Sequence, residues 1–144
     1  MTITMAPQRK TPWHLWMIGV VTLLWNAAGA YTIMMAQAGR LPDLEPGEAA
    51  YYAAQPPWFV VLTDVSLVAA TAAAVALLSC KRMAVWLFAL SLVAIVVTNG
   101  YELAAGTSRT LASGAALTVM AIIALIAVFE VAYARAMRRR AILR

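Results

Sequence analysis

Four long apolar stretches dominate this chain and decide which solvent it can fold in. Residues 13–38 and 83–101 contain no Asp, Glu, Lys or Arg; residues 57–79 are interrupted only by Asp64, and residues 110–134 only by Glu130 near their end. Each comes close to, or exceeds, the roughly 20 helical residues needed to cross a hydrocarbon core. Lipid cannot satisfy backbone N–H and C=O groups, so segments of this kind must be helices rather than open strands. The predicted fold is all-α: one polytopic domain over residues 1–144, a bundle of four transmembrane helices running up and down.

Composition excludes the soluble alternative. The chain has 144 residues, 64% hydrophobic and 12% charged, where a soluble domain carries about a quarter charged residues. A domain this small needs a polar exterior if it is to face water. The formal charge of +5 does not point to nucleic acid, because most of the basic residues sit in short clusters flanking apolar runs instead of forming a groove-reading face.

The first stretch has a rival reading. Arg9 and Lys10, an apolar run and then Ala28-Gly29-Ala30 share features with a secretory signal peptide and its small-residue cleavage site. Apolarity continues through Ile33, Met34 and Met35, beyond the length of a signal core, so a retained helix is expected.

Lysine and arginine set the expected orientation. One set of helix ends holds Arg9, Lys10, Lys81, Arg82, Arg135, Arg138, Arg139, Arg140 and Arg144, and the other holds Arg40 and Arg109. Nine against two places the first set, and both termini, on the cytoplasmic side. The signs alternate as four crossings require. Lys81, Arg82, Arg135, Arg138, Arg139 and Arg140 are therefore expected to meet lipid headgroups, where each basic residue gains about 1 kcal/mol near an anionic surface. Trp13, Trp16 and Trp58 fall at helix ends, where aromatic rings favour the interface.

The connections are short. Cys80, Lys81 and Arg82 alone join the second and third stretches, which must then be antiparallel neighbours. Residues 39–56 carry Asp43, Glu45 and Glu48 among Pro42, Pro46 and Pro56. Pro46 suits the start of a short helix lying on the surface with Tyr51 and Tyr52 toward the headgroups. Small residues spaced four apart, Ala69-Ala73, Ala70-Ala74, Ala112-Ala116 and Gly114-Thr118, predict close helix approach or a homo-oligomer contact.

Polar groups inside lipid are costly and therefore informative. At about 1.5 Å per residue, Asp64 lies roughly 9 Å below the boundary marked by Trp58, and Asn99 roughly 6 Å deep on the third helix. With Asn26 near the middle of the first helix and Glu102 at an edge, these residues are predicted to converge on a polar pocket in the outer half, with Tyr31 and Tyr101 beside it. The plainer reading is that Asp64 and Asn99 bond across neighbouring helices and fix their register, at about 0.6 kcal/mol per bond. Glu130 is expected to snorkel and pair with an arginine such as Arg135 rather than to transfer a proton. His14 reads as an interfacial anchor, and Cys80 as a small residue at an acylatable juxtamembrane position. A single cysteine and a single histidine exclude a multi-cysteine or histidine-pair metal site. No phosphate-loop, dinucleotide, zinc-protease or serine-nucleophile motif is present, and no cofactor is expected.

At His14-Leu15-Trp16, Gly19, Leu24-Trp25-Asn26-Ala27, Gly29-Ala30-Tyr31 and Met35 the chain resembles a family of small proteobacterial inner-membrane proteins. The likeness continues through Tyr51-Tyr52, Pro56-Pro57-Trp58 and 88–92, about the first two thirds of the chain. Members are often labelled hypothetical or "sugar transporter". The resemblance implies four helices and a bacterial inner membrane, and supplies no activity; the acidic residue often found after the family's Gly-x-Tyr is Thr32 here.

Three functions fit these features. The first is a non-enzymatic accessory subunit or small homo-oligomer acting through helix contacts. The second is a small-solute transporter or channel with Asn26, Asp64 and Asn99 as its polar path. The third is a membrane-embedded enzyme with Asp64 or Glu102 as acid or base.

Overall fold

A computed structural model describes residues 11–42, 44–106 and 114–143. Arg9, Lys10, Asp43, Arg109, Ala112 and Arg144 lie outside them, as does the start of the fourth apolar stretch at 110–113. The described regular structure is helical: α1 Trp13–Gln37, α2 Pro46–Ala53, α3 Pro57–Leu78, α4 Met83–Ala105 and α5 Gly114–Arg139. Four of these, α1, α3, α4 and α5, are long and apolar enough to cross a membrane. The protein is a multi-pass membrane bundle.

Local sequence explains where the helices start and stop. Pro46 and Pro57 occupy the first turns of α2 and α3, where a missing N–H has no helical partner to lose. At the other ends α1, α3 and α5 share one closing motif, in which a residue of positive φ reverses the chain. For α1 this is Gly39 (φ 64), with Arg40 N–H bonded to Met35 O at 2.8 Å. For α3 it is Cys80 (φ 53), with Lys81 N–H to Ala76 O at 2.8 Å; for α5 it is Ala141 (φ 56), with Ile142 N–H to Met137 O at 3.1 Å. Gly106 (φ 70) ends α4.

Two helices run further than the apolar pattern predicts. α4 continues past Tyr101 to Ala105, which puts Glu102 on a helix instead of in a connection, and α5 continues past Ala134 to Arg139. Hydropathy marks where lipid ends, whereas intrahelical hydrogen bonds continue until a capping residue interrupts them.

The up-down order brings α3 against both α1 and α4, and α4 against α5. Small residues make this possible. Ala69, Ala70, Ala73 and Ala74 are all buried, as their spacing predicts. Gly19 of α1 is buried too, and a β-carbon there would stand 2.5 Å from Leu78 Cδ2. Ser66 and Ser91 face each other between α3 and α4 with their hydroxyls 3.1 Å apart.

The apolar core concentrates at the end of the bundle that holds the start of α1, the α3–α4 turn and the end of α5. It joins Leu15, Ala73, Leu77, Phe88, Val131 and Met137. Past α5 the reversal at Ala141 sends Ile142 and Leu143 back into this core, and Arg82 Nε donates to Leu143 O at 3.4 Å. The other faces of the bundle are covered with exposed Val, Leu, Ile and Trp side chains, the surface a bilayer requires.

Candidate functional site

Two groups of polar residues stand at different heights in the bundle. The deeper one joins the first and last helices. Asn26 Nδ2 donates to Glu130 Oε1 at 2.7 Å, and the same nitrogen lies 2.9 Å from the Thr22 carbonyl oxygen one turn earlier on α1. A backbone carbonyl only accepts, so the amide must present its NH₂ to both oxygens, and Glu130 Oε1 must be an acceptor. Glu130 is only 5% exposed. One turn further along α5, Tyr133 OH lies 2.7 Å from His14 Nδ1, and the two rings meet edge to face at 6.0 Å. Both of these side-chain bonds run between α1 and α5.

This arrangement corrects the expectation for Glu130. Its partner is Asn26 rather than Arg135, and Arg135 is exposed. The reason is geometric: the face of α5 that carries Glu130 also carries buried Ala127, Val131 and Ala134, so the carboxyl points into the bundle instead of along it. His14 likewise does more than anchor, since it bonds across to α5.

The second group lies at the opposite end, around α2. Tyr51 OH donates to Glu102 Oε1, tying the short helix to α4. Tyr101 packs edge to face on Trp58 at 4.9 Å and against Phe59 at 5.7 Å; Tyr51 and Tyr52 meet at 5.2 Å. Burial first, and then Glu102, push the Tyr51 hydroxyl far above the ordinary phenol range. Burial, followed by Glu48 and Glu102, raises Tyr52. Tyr51 therefore turns toward α4, where the sequence pattern predicts a headgroup contact.

The residues predicted to share one pocket are thus divided. Asn26 belongs to the α1–α5 bond, Glu102 and Tyr101 to the α2 end. Tyr31 is 65% exposed. Asp64 and Asn99 are half-buried; Asp64 Oδ1 is enclosed without a hydrogen-bond partner, as are Thr63 Oγ1, Gln55 Oε1 and Gln37 Nε2. Among the described residues no hydrogen bond links Asp64 to Asn99, and the Ser66–Ser91 pair bridges α3 and α4 instead. Thr98 turns its hydroxyl back onto Ala94 O at 3.0 Å. Lys81, Arg82, Arg135, Arg138, Arg139 and Arg140 are all exposed at the end that holds the core.

Sequence reasoning missed Tyr133 and turned Glu130 toward the wrong partner. The available signal was topological. In an up-down bundle that closes, the first and last helices become neighbours, and Asn26 and Glu130 are the polar residues that such closure sets against each other.

No protein-family model, curated protein or solved structure matches this chain.

Proposed function

We propose that the protein sits in the inner membrane of a bacterium with both ends in the cytoplasm. There it acts as an accessory subunit, engaging a membrane-protein partner or a second copy of itself through helix contacts. The observation that carries this reading is the poor burial of α1. Only 11% of its apolar stretch is buried, against 33% for α3 and for α4 and 22% for α5. Lipid or a partner helix can cover the rest, and helix contacts in bilayers form where small residues let backbones approach. Gly29 stands on α1 with no other described residue beyond its own helix backbone within 4 Å of the place a β-carbon would occupy. The likeness of the first helix to small proteobacterial inner-membrane proteins supports the location, and the bias of Lys and Arg supports the orientation.

Two measurements test this. Purification in mild detergent should yield an oligomer or a stoichiometric partner, and a bare monomer would count against the proposal. Cys80, the single cysteine, lies in the α3–α4 turn. A membrane-impermeant maleimide should reach it in inverted vesicles and not in intact cells; the opposite result would reverse the orientation.

A second reading, a path for a small solute, draws support from the buried Asn26–Glu130 bond, since polar groups at depth commonly line such paths. Flux into liposomes should then be lost in Glu130→Gln and weakened in Asp64→Ala. Unchanged flux in both would remove this reading.

A further inference from the structure

Glu130 lies deep within an apolar bundle. From Trp13 to Asn26 the rise along α1 is about 20 Å, while along α5 Glu130 precedes the exposed Arg135 by only about 7 Å, so the Asn26–Glu130 bond stands within the apolar layer toward the end that holds the core, with Glu130 buried. An isolated carboxylate in such a place is strongly disfavoured unless a cation or several donors compensate it. Among the described residues Glu130 receives a single hydrogen bond, from a neutral amide.

The charged and titratable groups on the packed helices do not supply the missing compensation. On α1, His14 is bonded to Tyr133 of α5, and Tyr31 is exposed. Arg135 is exposed on α5, and the arginines beyond it are further toward the end of the helix. On α3 the one such group is Asp64. Counting rise from the Gly19–Leu78 contact, it lies about 10 Å beyond Asn26 along the bundle. On α4, Tyr101 and Glu102 belong to the α2 end, more than about 20 Å away by the same count. Arg82, in the turn, bonds to Leu143 O.

The amide orientation permits one further step. Because Thr22 O fixes Asn26 as the donor, Oε1 accepts whether Glu130 is a carboxylate or a carboxylic acid. Among the described residues the other carboxyl oxygen has no hydrogen-bond partner, so it can take a proton without breaking the α1–α5 bond. We propose that Glu130 is a reversible proton-binding site in the seam between α1 and α5, taking its proton on the oxygen that Asn26 does not occupy. The inference holds whether or not a solute crosses the bundle.

Dicyclohexylcarbodiimide, an apolar reagent, tests this on the full-length protein in liposomes. A protonated carboxyl adds its O–H across a C=N bond of the carbodiimide, and the adduct rearranges to a stable N-acylurea with no atom lost. The modification should map to the peptide carrying Glu130. It should fall about tenfold for each pH unit above the titration midpoint. Asp64→Asn, which leaves the α1–α5 seam untouched, should retain it. Absence of modification at Glu130 across the pH series would overturn the proposal. So would modification independent of pH, or its loss in Asp64→Asn.

Discussion

Gly19 and Leu78 are in van der Waals contact across α1 and α3, so close that a β-carbon at position 19 would stand 2.5 Å from Leu78 Cδ2 and 2.9 Å from Cγ. The missing side chain is what lets the two backbones approach. Gly19→Val should destabilise the bundle by about 1–3 kcal/mol, the usual cost of overpacking. Leu78→Ala in the same chain should recover much of that loss. Reversible unfolding in mixed micelles of mild detergent and dodecyl sulfate measures both. Strictly additive effects of the two substitutions would show that this contact does not set the α1–α3 spacing.

Cys80 closes α3 with φ at 53°, a conformation that costs a residue with a β-carbon about 1 kcal/mol. Cys80→Gly should therefore raise stability by less than about 1 kcal/mol, since glycine's greater freedom in the unfolded chain offsets part of the gain. Cys80→Val should lower it. The midpoint of thermal unfolding in detergent reads both, and a glycine variant less stable than the parent would contradict the account of the turn.

The bond from Tyr51 to Glu102 makes docking of α2 depend on pH. Burial and Glu102 raise the Tyr51 hydroxyl above its usual value near 10, so the docked form holds its proton more tightly than the undocked form. That stabilisation is complete below about pH 10 and declines as pH rises above it. The protection of α2 amides, corrected for the base catalysis of exchange itself, should fall on the alkaline side of about pH 10. Tyr51→Phe should show weaker protection already at neutral pH, with a much smaller further loss in alkali. Indistinguishable exchange profiles for the two proteins would mean that the hydroxyl does not hold α2.

Much of this architecture is legible in the residues themselves. The four apolar runs, the three-residue turn at Cys80 and the alternation of basic clusters specify an up-down bundle, and Ala69, Ala70, Ala73 and Ala74 announce a close helix contact that the structure contains. Pro46 marks the short α2. The polar contacts are less legible, because rise along a helix gives height and says nothing about direction around the axis. Asp64 and Asn99 are predicted near one another by height alone, yet Ser66 and Ser91 make the bond between their helices. Glu130 stands five residues before Arg135, which invites an ion pair, but the buried face of α5 turns it toward Asn26. Which faces meet is decided by the packing of all four helices together, and no single stretch encodes that.

The bond between Asn26 and Glu130 joins residues 104 positions apart, and this separation bears on how the protein is made. A chain inserted from its amino end delivers α1 to the membrane long before α5 has been synthesised. Until then the Asn26 side chain has only the Thr22 carbonyl of its own helix and whatever the insertion machinery or water provides. Biogenesis must therefore shelter α1 until the last helix arrives, and ribosome-bound chains stalled before residue 114 should cross-link from position 26 to insertion factors that finished chains have left.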